Sequence, residues 1–511
     1  MVFLLLLVTV LPTIFYFYLK WHHAYWKRRG VPQLEPEFLY GNTRGMIRGE
    51  TSAAESFLDF YKQFKAKGCP YGGIYNTYRK VFLPIDPKVI KQIMQKDFEH
   101  FNGHFPSRLL KQSILTKNLF DLEGEKWKST RKHLTPTFTT AKIKMMYETM
   151  VEKSAGLNKM IQKYSSKNEP IDIKEVLDRF TIEIVASVGF GIECNAMEDP
   201  NSEFVMHGKI MNGSPAKPKS LYLMFLRTLG HRMVRTKLHV SENFFKNMVE
   251  ENIDYREKNR IYRKDFIHMM IQLKNKGKVS DDKDVFTKIN DLPGTFDIEE
   301  ITAQVLLFYN GGYETAATTL TFAIFELTQH PDIQDKIREE VNRVIEKYDG
   351  ALTYEAVTEL TYTEQVIEET LRKHSSVSAI PRTCTKEYKL PGTETIIEKG
   401  TGLFIPILGL HRDPEYFPDP EKFDPDRFSP ENRKLIKEFT YLPFGEGPRM
   451  CLGLRFALVK TKFALASLLR NYSFRLNKKT ELPLRIATDR LISGVKGGIW
   501  VDVQEVHTQK K

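Results

Sequence analysis

The stretch FGEGPRMCLG, Phe444 to Gly453, constrains this chain more than any other ten residues. It sets one thiol in a glycine-rich loop immediately before a long apolar run, LRFALVKTKFALASLL. That order places Cys451 at a helix start, where backbone N–H groups and the positive end of the helix dipole favour thiolate over thiol. Gly445, Gly447 and Gly453 permit unusual dihedrals and let backbone approach a flat ligand closely. A cysteine that binds a metal as thiolate needs such surroundings. A lone cysteine near a helix is more often a small buried hydrophobe, so the reading rests on the whole spacing and not on the sulfur alone.

The other cysteines, Cys69, Cys194 and Cys384, lie far from one another and from Cys451, which excludes a CxxC metal ribbon and a dense disulfide framework. With 511 residues, 41% of them apolar and 34 of them Phe, the chain has ample material for a core, and its 27% charged content excludes wholesale disorder. The balance of 76 Lys plus Arg against 64 Asp plus Glu gives a formal charge of +12, but the charge is dispersed. Clusters such as Lys27-Arg28-Arg29 do not build a basic tract interleaved with stacking aromatics, so nucleic acid is not an expected partner. An anionic membrane surface or an acidic partner protein suits the balance better.

From Val2 to Leu19 no side chain is charged, and as a helix the run would cover ~27 Å, close to a bilayer's hydrocarbon thickness. No basic region precedes it and no small-residue cleavage site follows; Trp21, Tyr25 and Trp26 stand there instead. Residues 1–20 therefore read as an uncleaved transmembrane signal anchor. Lys20, Lys27, Arg28 and Arg29 just beyond it place the remainder on the cytoplasmic side. Residues 21–36, with Pro32 and Pro36, read as a basic, stiff linker, and residues 37–511 as the globular body.

Within that body GGIYNTYRKVFLPID alternates apolar and polar residues and predicts a β-hairpin followed by a helix from Pro87 to Met94. From about Leu122 to Arg372 helical periodicity dominates, and strands return in EYKLPGTETIIEKGTGLFIPI and GGIWVDVQ. The proline-rich DPEYFPDPEKFDPDRFSP predicts a meandering loop. No GxGxxG loop sits between a strand and a helix, so neither NADPH nor flavin is expected to bind this chain itself.

Three further stretches carry chemistry. Asp297 and Glu300 form a capping-box start for one helix of over thirty residues, ended by Pro331. In its middle stand Gly311 and Gly312, each costing about 1 kcal/mol relative to alanine. Close helix packing and a functional groove account for that pair equally well. In EETLR, Glu369 and Arg372 are spaced to pair on a helix face, a signal that is weak by itself because exposed pairs contribute at most about 1 kcal/mol. In WKSTR, Trp127 and Arg131 share a helix face, the plain reading being an amphipathic helix with a snorkelling arginine. His133 and His411 lack partners at metal-ligand spacing and read as structural, and Met145, Met146 and Met150 read as core.

The spacing FxxGxRxCxG, filled by Phe444, Gly447, Arg449, Cys451 and Gly453, resembles the haem-binding loop of the cytochrome P-450 family. GGYET resembles the family's oxygen-binding groove, EETLR with PEKFDPDRF its meander-region pair, and TYRKVFLPIDP and GFGIECNAMEDPNSEF are similar to insect microsomal, xenobiotic-metabolising members. The resemblance implies a mainly α haem-thiolate fold with a small β region, a single large catalytic domain behind a transmembrane helix. It implies that Cys451 is the axial thiolate of haem b (iron protoporphyrin IX), with Phe444 beside the sulfur. Arg449, Trp127, Arg131 and Arg382 would meet the haem propionates, and Arg427 would join Glu369 and Arg372 in a structural network. Gly311 and Gly312 would line the oxygen groove, with Glu314 and Thr315 as an acid-alcohol pair relaying protons.

Monooxygenation of a lipophilic small molecule, a xenobiotic or an endogenous lipid, is the implied reaction. The implied partners are an NADPH-cytochrome P-450 reductase and cytochrome b5 at the endoplasmic reticulum membrane. Substrate contacts are expected from Phe105 to Leu119, the helix before Gly311, and Val377 to Ile380. A thiolate-haem isomerase or dehydratase would share the cysteine loop but not the acid-alcohol pair, and a non-enzymatic haem-binding protein would need neither relay nor reductase. The chain departs from the family's pattern at Asn310, at Gly311 where alanine is common, and at His374-Ser375-Ser376 where an aromatic and two prolines are usual. The last departure predicts a looser turn into the substrate pocket.

Overall fold

A computed structural model describes residues 2–104, 113–212, 221–280, 285–286, 296–490 and 492–506. The part of the expected pocket wall at 105–112 lies outside the described residues, as do the side chains of residues 2–9. Helices carry most of the chain. Those that position the site are α1 (Val2–His23), α2 (Gly124–Leu134), α3 (Thr140–Lys167), α4 (Ile173–Val185), α5 (Ile298–Gly312), α6 (Glu314–Gln329), α7 (Pro331–Glu346), α8 (Thr361–Lys373) and α9 (Leu454–Asn471). The largest apolar core forms where α5, α6 and α9 meet α3 and α4, around Ile143, Val185, Val305, Leu320 and Phe463.

The expected hairpin is present as β1 (Tyr71–Asn76) and β2 (Arg79–Pro84), antiparallel with Tyr71 opposite Pro84 and Asn76 opposite Arg79. Strand β3 (Ile171–Asp172) belongs to a separate sheet, and β4 (Ile380–Thr383) returns to the hairpin's sheet. A short hairpin pairs β5 (Tyr388–Lys389) with β6 (Ile396–Ile397). Strand β7 (Gly402–Ile405) then completes a four-stranded sheet of order β1-β2-β7-β4. The second sheet orders β3-β9-β8, from β8 (Tyr472–Leu476) and β9 (Trp500–Glu505). The helix expected from Pro87 is α-helical only to Lys91 and widens into a π-helical turn at Gln92–Lys96.

Two expectations change. Residues 21–36 do not stand free as a spacer. Trp26, Val31 and Leu34 are buried, Trp26 donates its indole N–H to Ile74 O at 3.3 Å, and Gln33 bridges Gly73 on β1. The long helix from Asp297 is also not continuous. Its capping box is present, with Asp297 and Glu300 each bonding the other's backbone N–H, but the helix breaks at Tyr313 into α5 and α6. Among the described residues, no helix is long and apolar enough to cross a membrane.

The candidate haem-thiolate site

The loop before α9 is shaped by two glycines with left-handed backbone, Gly445 at φ 70° and Gly447 at φ 75°. A Cβ on Gly447 would also lie 2.1 Å from Met94 O, so this position admits no side chain. Gly453 behaves differently from expectation: its φ is −86°, it caps α9, and its N–H bonds the Cys451 thiol. Phe444 is tied to the same turn through its carbonyl, which accepts from Cys451 N at 2.9 Å.

Cys451 is reachable by solvent yet surrounded by enough protein that desolvation dominates its acidity: burial pushes the thiol up, against the Gly453 N–H and the Arg131 guanidinium. It therefore lines an internal recess. A thiol so placed is a poor free nucleophile, whereas a bound metal cation would deprotonate it outright.

Around the recess the structure gathers residues far apart in sequence. Trp127 and Arg131 project from α2 toward the core, while Lys126, Lys128 and Lys132 face outward. Arg449 lies over the Trp127 ring at 4.6 Å and donates to the carbonyls of Phe120, at 3.2 Å, and Leu122. Arg382 comes from β4 and is fully buried. Burial lowers Arg382 to about 10 and Arg449 to about 9, and Arg449 is pushed down further by the positive charges of Arg382 and Arg131.

Sequence reasoning missed His104, which stands between the two arginines. Its Nε2 is 2.9 Å from Arg382 Nη1 and its Nδ1 is 3.0 Å from Arg449 Nη1. Burial and the two guanidiniums hold it neutral, at about 2. Nδ1 also bonds Phe120 O, which fits an Nδ1–H tautomer whose Nε2 accepts from Arg382. An isolated histidine without periodicity or motif carried no signal in the sequence.

The Nε–H groups of Arg382 and Arg449 are buried without a partner. Three cations converge there while the nearby carboxylates, Asp121 and Glu123, are themselves raised by burial. Such a cluster is costly unless an anion enters it. A ligand with a flat body against the glycine loop, two carboxylates for the arginines and a metal for Cys451 satisfies each requirement.

At the end of α5, Gly311 faces open space, with nothing within 4 Å of an added Cβ. Gly312 instead packs against α4, where an added Cβ would meet Val185 Cγ2 at 3.0 Å. Thr315 Oγ1 donates to Gly311 O at 2.8 Å, a back-bond that helps to bend the helix here. Burial raises the carboxyl of Glu314, with Lys174 and Arg490 opposing and Asp178 reinforcing. Those three residues line a polar pocket of about 330 Å³ that also reaches Thr318.

The supporting network is buried and tight. Glu369 and Arg372 are both fully buried, paired at 2.6 and 2.8 Å. Arg427 Nε lies 3.5 Å from Glu369 Oε1, and Arg372 also donates to His411 O and Pro420 O. His411 accepts from Leu442 N at 2.8 Å through Nε2, the structural role expected of it. The turn at His374-Ser375-Ser376 is not loose. His374 stacks on Phe322 at 4.6 Å and bonds Glu326, and Ser376 Oγ is 3.1 Å from Thr319 Oγ1. Polar anchoring does there what ring stiffness would otherwise do.

A family model for cytochrome P450 matches residues 39–499. The chain belongs to the cytochrome P450 family. It is 35% identical to cytochrome P450 6A1 of Musca domestica over 100% of this chain and 99% of the relative. Cytochrome P450 6a2 of Drosophila melanogaster is 34% identical over 98% and 99%, and cytochrome P450 6k1 of Blattella germanica 36% identical over 97% and 95%. Cytochromes P450 bind haem through a cysteine thiolate and act as monooxygenases, generally with a redox partner and lipophilic substrates.

Proposed function

We propose that this cytochrome P450 holds haem b on Cys451, is anchored in the endoplasmic reticulum membrane by α1, and oxidises a lipophilic small molecule with electrons from an NADPH-cytochrome P-450 reductase. The observation that carries the site assignment is the convergence of Arg131, Arg382 and Arg449 on the recess that Cys451 lines, with two N–H donors free for carboxylates. When bound, haem supplies the redox chemistry by which one atom of dioxygen enters the substrate and the other leaves as water.

The chain's own residues do the rest. Gly453 N–H and Arg131 favour the thiolate of Cys451, and Arg382 and Arg449 neutralise the propionates while His104 and the loop carbonyls hold their guanidiniums in place. Burial raises the carboxyl of Glu314 and so favours its protonated form, and a polar pocket lined by Lys174, Asp178 and Arg490 lies beside it. Thr315 keeps its oxygen lone pairs available to receive and pass a proton while its hydroxyl rests on Gly311 O. Gly311 leaves the space beside that hydroxyl open.

Anchoring is supported by α1, on which Leu11, Ile14, Phe15, Phe17, Tyr18 and Trp21 are all exposed, an arrangement suited to lipid. Docking of an acidic flavoprotein, with cytochrome b5 as a second electron donor, is supported by the exposed Lys126, Lys128 and Lys132 on α2 and Arg455 on α9.

The test is turnover of dodecanoic acid and limonene under labelled dioxygen, with the chain reconstituted with reductase and NADPH. A hydroxylated product carrying one labelled oxygen, formed with NADPH consumption, is the expected result. Product whose new oxygen comes from water, or product formed without NADPH, would overturn the reading.

A further inference from the structure

Lys460 is 1% exposed, six residues into the helix that follows the cysteine loop. Its ammonium donates to the carbonyl oxygen of Gly312 and lies 5.2 Å from the Phe456 ring. Among the described residues no carboxylate pairs with it within 4 Å. A buried ammonium facing one carbonyl and one ring is an expensive arrangement, since each lost water contact goes largely unreplaced. Burial alone lowers its pKa to about 7, in keeping with that cost. Long cationic side chains ordinarily thread to the surface, and this one does not.

The carbonyl it chooses is informative. Gly311 O is held by Thr315 Oγ1 and Gly312 O by Lys460, so both glycine carbonyls at the break between α5 and α6 are held by side chains. One holder belongs to the acid-alcohol pair. The other belongs to α9, which begins three residues after Cys451. The distance along α9 from its first residue to Lys460 is ~9 Å at 1.5 Å per residue, so one short rigid rod connects the thiolate loop with the helix break.

We propose that Lys460 is a positioning residue for proton delivery: by donating to Gly312 O it fixes the break at Tyr313, and with it the placement of Glu314 and Thr315, relative to Cys451. Lys460 touches neither substrate nor haem in this role. It acts through the backbone of the groove. The proposal rests on the assignment of Glu314 and Thr315 as the relay and deepens it.

Two variants of the full-length holoenzyme, Lys460→Met and Lys460→Gln, test it with limonene and reductase. Methionine keeps length and apolar bulk but cannot donate, whereas glutamine keeps an N–H donor without charge. For K460M the expected result is unchanged haem content and substrate affinity, at least a threefold larger share of electrons lost to peroxide, and roughly tenfold faster amide exchange across residues 313–317. K460Q should recover at least half of the lost coupling. Parental coupling and exchange in K460M, or no recovery in K460Q, would overturn the proposal. Should K460M not retain haem, K460Q decides alone: coupling within twofold of the parent supports donation to Gly312, and a haem-replete but uncoupled protein refutes it. Thr315→Ala, measured alongside, separates the two assignments. Intact coupling in T315A would remove the relay itself, while amide exchange would still report whether Lys460 holds the break.

Discussion

At the scale of single residues, the site depends on buried groups whose charge state is set by surroundings that no motif announces. His411 is the clearest case outside the recess. Its Nε2 accepts from Leu442 N, and full burial pushes it down to about 3. In the unfolded chain it titrates near 6.5, so below that pH the unfolded state binds a proton that the folded state refuses. Stability is therefore present above about pH 6.5 and lost as pH falls toward 3, by roughly 1.4 kcal/mol per pH unit for this group. His268, lowered by burial to about 4, acts in the same direction. Denaturant unfolding at pH 6.5 and 5.5 should show His411→Gln losing about 1 kcal/mol less than the parent over that interval. Equal losses would show that His411 does not stay neutral. The motif residues were legible because their spacing is specific, whereas His104 and Lys460 act through contacts with residues 278 and 148 positions away, and nothing local marks them.

At the scale of elements, the glycine pair divides between two explanations that the sequence left open. Gly311 has open space beside it and Gly312 packs on Val185. Gly311→Ala should fold as well as the parent, gaining up to about 1 kcal/mol of helix propensity, while Gly312→Ala should be destabilised by about 1 kcal/mol or more as Val185 is pushed aside. Thermal unfolding of both variants checks the order, and an equal response of the two would contradict it. The amino-terminal segment gives a second test. Removing residues 2–20 should release the protein from membranes at alkaline pH with haem retained. Extending the deletion to residue 36 removes the buried Trp26, Val31 and Leu34, at a cost of several kcal/mol, and should destroy the fold. A 2–36 deletion as stable as the parent would restore the spacer reading. Alternation made the β1-β2 hairpin readable, and the capping box made the start of α5 readable. The docking of residues 21–36 was not readable because it depends on contacts with β1, and nor was the hold on the break at Tyr313 that Lys460 supplies from α9.

At the scale of the whole molecule, residues from elements far apart in the chain are assembled around the cysteine loop. The four-stranded sheet supplies Arg382, α2 supplies Trp127 and Arg131, and the α5-α6 pair carries Gly311 and Thr315 at its break. The cysteine loop is held from beneath by Glu369, Arg372 and His411, which link α8 to the proline-rich meander. A chain of this length and order could be placed in its family from a few motifs, yet the shape of a substrate pocket could not be read from spacing, and residues 105–112, expected to contribute to it, lie outside the described residues. The central claim remains the bond between one sulfur and haem iron. Its most direct test is the absorption spectrum of the reduced protein under carbon monoxide, for the parent and for Cys451→Ala. A strongly red-shifted band in the parent that is absent from C451A is the predicted result; an unshifted band in the parent, or the same red-shifted band in C451A, would contradict it.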